Sequence, residues 1–234
     1  MRTMPKLLQL AIDNKAAPKS FVVKAEDGGT RIELFDIIDD YYGVSASDFA
    51  AALNGINGNI ALHINSPGGD VFAARAMVAT IAAHPSNITA HIDGMAASAA
   101  SYVAMACDSV VMQDGSMLMI HNAWTFAMGN ASDLRSTADL LDKVDGSIVN
   151  DYARKTGLPS DEIVALMDAE TWMTASEAVS KGFADSVAFN AKGAKAKNTW
   201  NLSAYANAPK PDPEPIPDPS TATRARMLAL LDRI

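Results

Sequence analysis

Ser98 is the residue of this sequence best placed to do covalent chemistry. It stands in Asp93-Gly94-Met95-Ala96-Ala97-Ser98-Ala99-Ala100-Ser101, after a β-like run from Ile88 to Asp93 and a glycine turn, at the mouth of a small-residue helix expected from Ala99 to Ala106. A serine so placed lifts its Oγ off a sheet edge, and the first free N–H groups of the helix face whatever bonds to it. Acyl transfer by a serine nucleophile requires that arrangement. Serine is also a favoured helix N-cap, so the partners of Ser98 must carry the weight.

A serine nucleophile needs a base within hydrogen-bond reach, a group that orients the base, and donors for the oxyanion. Of the four histidines, His63 and His91 fall inside strands, where a structural role suffices. His84 precedes Pro85 at a helix end, where a positive charge meets the negative end of the helix dipole. His121 closes the apolar strand Met117-Leu118-Met119-Ile120 and is followed at once by a loop, where sheets present functional groups. It is the candidate base. Asp168 and Glu170, just before Thr171-Trp172, are both candidates for the orienting acid, and both also read as solvated charges at a helix end. In Ser66-Pro67-Gly68-Gly69 the glycine pair allows a close backbone approach, so the N–H groups of Gly69 and Ala99 form a candidate two-donor oxyanion hole.

The elements that must position these residues are legible in order. Phe21–Ala25 and Thr30–Phe35 read as two strands around a glycine turn, and Ser45 with Asp48 opens a helix that carries Phe49 and Leu53. Ile60–Asn65, the Ser66–Asp70 turn and a helix from Val71 to His84 form a strand–turn–helix unit, which Ile88–Asp93, the Ser98 turn and Ala99–Ala106 repeat. Two such units put two helix N-termini on one edge of a parallel-type sheet. Strands at Val110–Met112 and Met117–Ile120 follow. A long helix is expected from Ser132 to Thr156, with Gly157 as its stop, then a shorter one from Asp161 to Asp168.

The two ends read differently. Residues 1–20 show no sustained period and are expected to form a flexible N-terminal arm before a body spanning 21–190. Six of the eleven residues from Pro209 to Pro219 are proline, which predicts an extended linker over 191–222. It leads to a short amphipathic helix over 223–234, with Met227, Leu230, Leu231 and Ile234 on one face, expected to dock on a partner.

Composition narrows the class. The 234 residues are 49% apolar, enough for one sizeable core. A net charge of −8, with 19 scattered Lys and Arg, disfavours nucleic acid. The single cysteine, Cys107, excludes an internal disulfide and a thiolate-rich metal site, and suits a reducing cytoplasm. No apolar run is long enough to cross a bilayer, and neither a metal nor a cofactor is expected.

With these residues in view, the sequence resembles the Clp protease proteolytic subunit (ClpP) family, and more closely its phage or prophage head-maturation branch. The resemblance rests on Ile64-Asn65-Ser66-Pro67-Gly68-Gly69, Gly94-Met95-Ala96-Ala97-Ser98, Met119-Ile120-His121-Asn122, and Glu177-Ala178-Val179 with Gly182-Phe183-Ala184-Asp185, in family order across residues 30–187. It implies an α/β fold, a ClpP/crotonase-type spiral of repeated β-β-α units with a protruding long helix that helps hold a homo-oligomeric ring. It implies Ser98 as nucleophile, His121 as base and Gly69 and Ala99 as oxyanion donors. The third position falls on Glu170, where housekeeping members have aspartate, with Asp168 the alternative.

The function implied is a serine endopeptidase, ATP-independent, that processes phage capsid or scaffold proteins during head maturation in the cytoplasm, without nucleic-acid or membrane partners. The alternatives are a general degradation subunit that works with an ATP-driven unfoldase, a crotonase-like acyl-CoA-processing enzyme, and an inactive structural oligomer.

Overall fold

Hydrophobic alternation on the strands and small-residue helices between them produce a mixed α/β molecule. The computed structural model describes residues 4–26, 28–189 and 200–209. In chain order its elements are α1 (Lys6–Asp13), β1 (Ser20–Glu26), β2 (Gly29–Phe35), α2 (Ala46–Leu53), β3 (Asn59–Ser66), α3 (Val71–Ala83), β4 (Ile88–Ala97) and α4 (Ala99–Met105). These are followed by β5 (Ser109–Gln113), β6 (Met117–Ile120), α5 (Ala131–Thr156), α6 (Ser160–Asp168), β7 (Thr171–Thr174), α7 (Ala175–Ser180) and β8 (Ser186–Ala188).

The strands run β1-β2-β3-β4-β5-β8, and β6 and β7 branch from β4. The β1–β2 hairpin is antiparallel, while β2, β3, β4, β5 and β8 are parallel in turn. The branch arises within β4. Its first half, Thr89–Ile92, pairs with β5, and its second half, Met95–Ala97, pairs with β6. Between Ile64↔Ile92 and Ser66↔Ala96 the register slips, so that β4 carries more residues than β3 across Asp93-Gly94. Such an insertion bends and twists the strand. It turns the end of β4 away from β5 and delivers Ser98 beside β6.

Local chemistry sets the helix ends. The Ser45 hydroxyl accepts from the Asp48 N–H at 3.0 Å and caps α2 as its sequence predicts, and Asp70 Oδ1 accepts from the Ala73 N–H at 2.7 Å and caps α3. Asn130 and Asp133 form a reciprocal capping box on α5, and Gly157 stops that helix in the left-handed region at φ 75°. Val144, Ile148, Val149 and Tyr152 anchor the second half of α5, whereas none of residues 131–141 is fully buried in this chain. The main core lies between the sheet and helices α2 to α6, around Ile64, Phe49, Met77 and Ile92.

A second, smaller core departs from the sequence reading. Residues 6–13, expected as part of a flexible arm, form α1 with Leu10 fully buried. Residues 200–209, expected as linker, place Trp200, Leu202, Ala204 and Tyr205 against Leu10, Ile37, Met95 and Met119. The two segments also bond to each other, since Asn14 Nδ2 donates to the Asn201 carbonyl at 2.9 Å and Asn14 Oδ1 accepts from the Asn201 N–H at 2.6 Å. Each end is short and weakly apolar by itself, and each becomes ordered because the other supplies its apolar partner. The linker beyond Pro209 and the 223–234 helix lie outside the described residues.

Candidate active site

Three strand ends bring the candidate residues together. The Ser98 N–H extends the β4–β6 pairing by donating to the Met119 carbonyl at 2.9 Å, so His121, two residues further on, rises beside Ser98. His121 Nε2 lies 2.8 Å from Ser98 Oγ, the distance of a serine hydroxyl donating to a neutral imidazole. In the antiparallel β6–β7 pair Ile120 faces Thr171, which puts Glu170, the residue before β7, opposite His121. The strand β7 is only four residues long.

Two of these residues sit in the left-handed region, Ser98 at φ 53° and Glu170 at φ 46°. A non-glycine residue there costs about 1–3 kcal/mol and persists only where its surroundings hold it. At Ser98 the hold is visible: its carbonyl accepts from Ser101 Oγ at 2.7 Å, and Ser101 Oγ in turn meets the buried Tyr152 hydroxyl at 2.8 Å. The strained elbow keeps the Ser98 hydroxyl free of capping duty, for it makes no side-chain cap bond to α4.

The turn before α3 supplies the opposite wall. The Gly68 carbonyl accepts from Ile38 N–H at 2.9 Å, and Asp70 N–H donates to the Ile38 carbonyl at 2.7 Å, which leaves the Gly69 N–H between them unused. Gly69 lies at φ 152°, and a Cβ there would come within 2.0 Å of the Ile38 carbonyl oxygen, so only glycine fits. Among the described residues, neither the Gly69 N–H nor the Ala99 N–H donates to another protein group. Gly69, Ser98, Ala99 and His121 line one cavity of about 590 Å³, whose far wall includes Phe126, Leu141 and Ile148.

The two candidate acids part company. Asp168 ends α6, and its Oδ1 accepts from Asn122 Nδ2 at 2.7 Å. Glu170 lies near enough for its charge to raise the basicity of His121. Its oxygens accept from the N–H groups of Ala206 (3.0 Å) and Asn207 (2.7 Å), with Trp172 Nε1 at 3.4 Å. Among the described residues no hydrogen bond joins Glu170 to His121 Nδ1.

Tyr205 is the neighbour that the sequence reading missed. Its ring meets His121 edge-on at 5.5 Å and Trp172 at 5.8 Å, and its phenol donates to the Pro67 carbonyl. Burial pushes the phenol above its ordinary range, against the opposing effect of the adjoining Ser98 side chain. The signal available was the alternation Trp200, Leu202, Ala204, with exposed Asn201 and Ser203 between, which puts the apolar residues on one side of the segment.

The other histidines serve structure. His63 bonds Asp93 through Nδ1 and Arg31 through Nε2, both at 2.8 Å, and stacks on His91. His84 contacts the Leu53 carbonyl at 3.1 Å. Cys107 is buried, which pushes its thiol up to about 12 and keeps it unreactive.

A serine, a neutral imidazole and two free N–H groups on one cavity, with a carboxylate near the imidazole, are the groups that acyl transfer requires. Comparison with known proteins agrees with that chemistry. The family described as Clp protease matches residues 44–191, more than half of the chain. The chain belongs to the Clp protease family. Membership makes it a serine-type peptidase with the mixed α/β fold of that family. The ATP-dependent Clp protease proteolytic subunit of Bacteroides fragilis is 34% identical over 154 residues, covering 64% of this chain and 74% of that protein. The ATP-dependent Clp protease proteolytic subunit 1 of Mycobacterium leprae is 30% identical over 131 residues, covering 55% and 66% respectively. The proteolytic subunit of Deinococcus radiodurans is 31% identical over 130 residues, covering 55% and 64%. Among the described residues no helix is long and apolar enough to cross a membrane.

Burial pulls the His121 imidazole down to about 4 from its ordinary 6.5, with Glu170 opposing the shift and Lys6 adding to it. The imidazole therefore stays neutral, and able to take a proton, in mildly acidic solution. The acid limb of kcat/KM against pH is expected well below 6.5. Stability carries the same sign. The unfolded imidazole takes up a proton below 6.5 and the folded one does not until about 4, so His121 lowers stability as pH falls through that window. A pH–rate profile for a small peptide checks the first point, and an acid limb at or above 6.5 would contradict it.

Proposed function

We propose that the chain is a serine endopeptidase in which Ser98 is the nucleophile, His121 the base, Glu170 the orienting acid, and the N–H groups of Gly69 and Ala99 the oxyanion donors. The observation that carries the reading is the 2.8 Å contact between His121 Nε2 and Ser98 Oγ at the edge of an open cavity. Ser98 Oγ attacks the scissile carbonyl as its proton passes to His121 Nε2. The carbonyl oxygen becomes an oxyanion held by Gly69 and Ala99. His121 then gives the proton to the leaving amine, and an acyl-serine remains for water to hydrolyse by the same steps in reverse. Glu170 stabilises the imidazolium that forms between the two transfers.

The biological setting proposed is ATP-independent processing of capsid or scaffold proteins during phage head maturation, by a homo-oligomeric ring. Its support is the motif resemblance to the head-maturation branch, together with the terminal segments. Residues 6–13 and 200–209 lie outside the family match and pack on each other beside the site. A general degradation subunit that needs an unfoldase is the second reading, favoured by relatives named as ATP-dependent proteolytic subunits. The two separate in one assay. On the first reading, the purified chain alone is expected to cleave a scaffold protein encoded beside it, without nucleotide or ATPase. Hydrolysis that appears only with an added ATP-driven unfoldase would support the second reading.

A further inference from the structure

Residues 200–209 touch the candidate triad at three points, and nothing in the family match accounts for them. Tyr205 packs edge-on against His121, and its phenol bonds the Pro67 carbonyl in the turn that presents Gly69. The N–H groups of Ala206 and Asn207 bind the two oxygens of Glu170, at 3.0 and 2.7 Å. Asn207 Nδ2 donates to the Ala169 carbonyl at 2.8 Å, which ties the segment to the residue preceding the acid.

A segment laid over a catalytic dyad can either cover the site or hold it. The cavity decides between these. Ser98 and His121 both line it, and none of residues 200–209 does. The segment therefore stays out of that space while it packs against the histidine, the acid and the Ser98 side chain, and it leaves room for a substrate.

We infer that residues 205–207 are a positioning element of the catalytic site, in which Tyr205 fixes the His121 ring and the Pro67–Gly69 turn while two backbone N–H groups fix the Glu170 carboxylate. This rests on the triad reading above. It supplies a physical reason for glutamate at the third position. A glutamate has one more rotatable bond than an aspartate, and two donors fixed in one short segment remove that freedom. A carboxylate has enough lone pairs to keep both bonds and still accept from the His121 Nδ1–H, which the imidazole carries both before and after Nε2 takes the Ser98 proton. The segment thus adds orientation without taking the acid out of use.

The test uses full-length protein and a small peptide substrate, with kcat and KM measured separately and melting temperature as the control on folding. Tyr205→Phe keeps the ring and loses the phenol bond, and is expected to lower kcat by about threefold to tenfold with KM unchanged. Asn207→Pro deletes the N–H that binds Glu170 and is expected to lower kcat by about tenfold, whereas Asn207→Ala keeps that N–H and should lose less. If the segment works through Glu170, Asn207→Pro adds less than about twofold in a Glu170→Gln background. A rise in rate for Tyr205→Phe or Asn207→Pro would make the segment a cover, and unchanged kcat in both would make it inert. Either result overturns the inference, as does an undiminished effect of Asn207→Pro beside Glu170→Gln. Failure of the triad reading is visible separately, as full activity of Glu170→Gln alone.

Discussion

Ser98→Ala is expected to lower peptide hydrolysis by roughly 10⁴- to 10⁶-fold, as loss of a serine nucleophile does elsewhere, while leaving fold and melting temperature almost unchanged. The substitution removes one oxygen that bonds to His121 Nε2 and adjoins the Tyr205 phenol. The bonds that hold the elbow are made by the Ser98 backbone. Its N–H donates to Met119, and its carbonyl accepts from Ser101 and Tyr102, all of which alanine retains. Alanine meets the same left-handed backbone as serine, so the strain at φ 53° is carried over rather than created. Labelling by a fluorophosphonate should disappear with the hydrolysis, and circular dichroism and melting would show the fold intact. A Ser98→Ala protein that hydrolyses peptides at the full rate would exclude the mechanism. It would return the field to an acyl-CoA-processing relative, for which the glycine-lined oxyanion site suffices without a serine nucleophile.

The sequence singled out Ser98 and His121 as candidates because both stand at punctuation points that local chemistry makes readable. Ser98 follows a strand and opens a small-residue helix, and His121 follows the last apolar residue of β6. The strand–turn–helix units, the Ser45 cap and the Gly157 stop were legible for the same reason, since each depends on residues within a few positions. The fork of β4 was not. It depends on a register slip between two strands, which no single segment encodes. Nor was the small core of α1 with Trp200 and Tyr205, whose halves are separated by nearly the whole chain. Leu10 in a weakly patterned run looks solvated until Trp200, Leu202 and Tyr205 arrive. The candidate acid is the intermediate case: its neighbourhood was readable, but the preference for Glu170 over Asp168 turns on the β6–β7 register and on the backbone of residues 206–207.

That choice is open to a direct comparison, in which Glu170→Gln is expected to lower kcat by about 10²- to 10⁴-fold and Asp168→Asn by less than about twofold. Two losses act together at Glu170. The amide no longer stabilises the imidazolium that forms as Ser98 attacks. It also replaces one carboxylate oxygen with an NH₂ group, setting donor against donor at the Ala206 or Asn207 N–H and loosening the side chain that must face His121. Asp168 is exposed on the last residue of α6, and asparagine can still accept from Asn122 there. The pH profile adds a readout that a merely structural change would leave alone. The Glu170 charge raises the His121 value against the effect of burial, so its removal should move the acid limb of kcat/KM downward or leave it low, never up toward 6.5. If Asp168→Asn proves the more damaging of the two, the acid is Asp168, acting beside Asn122, and the two N–H groups of residues 206–207 hold a carboxylate with no part in the chemistry.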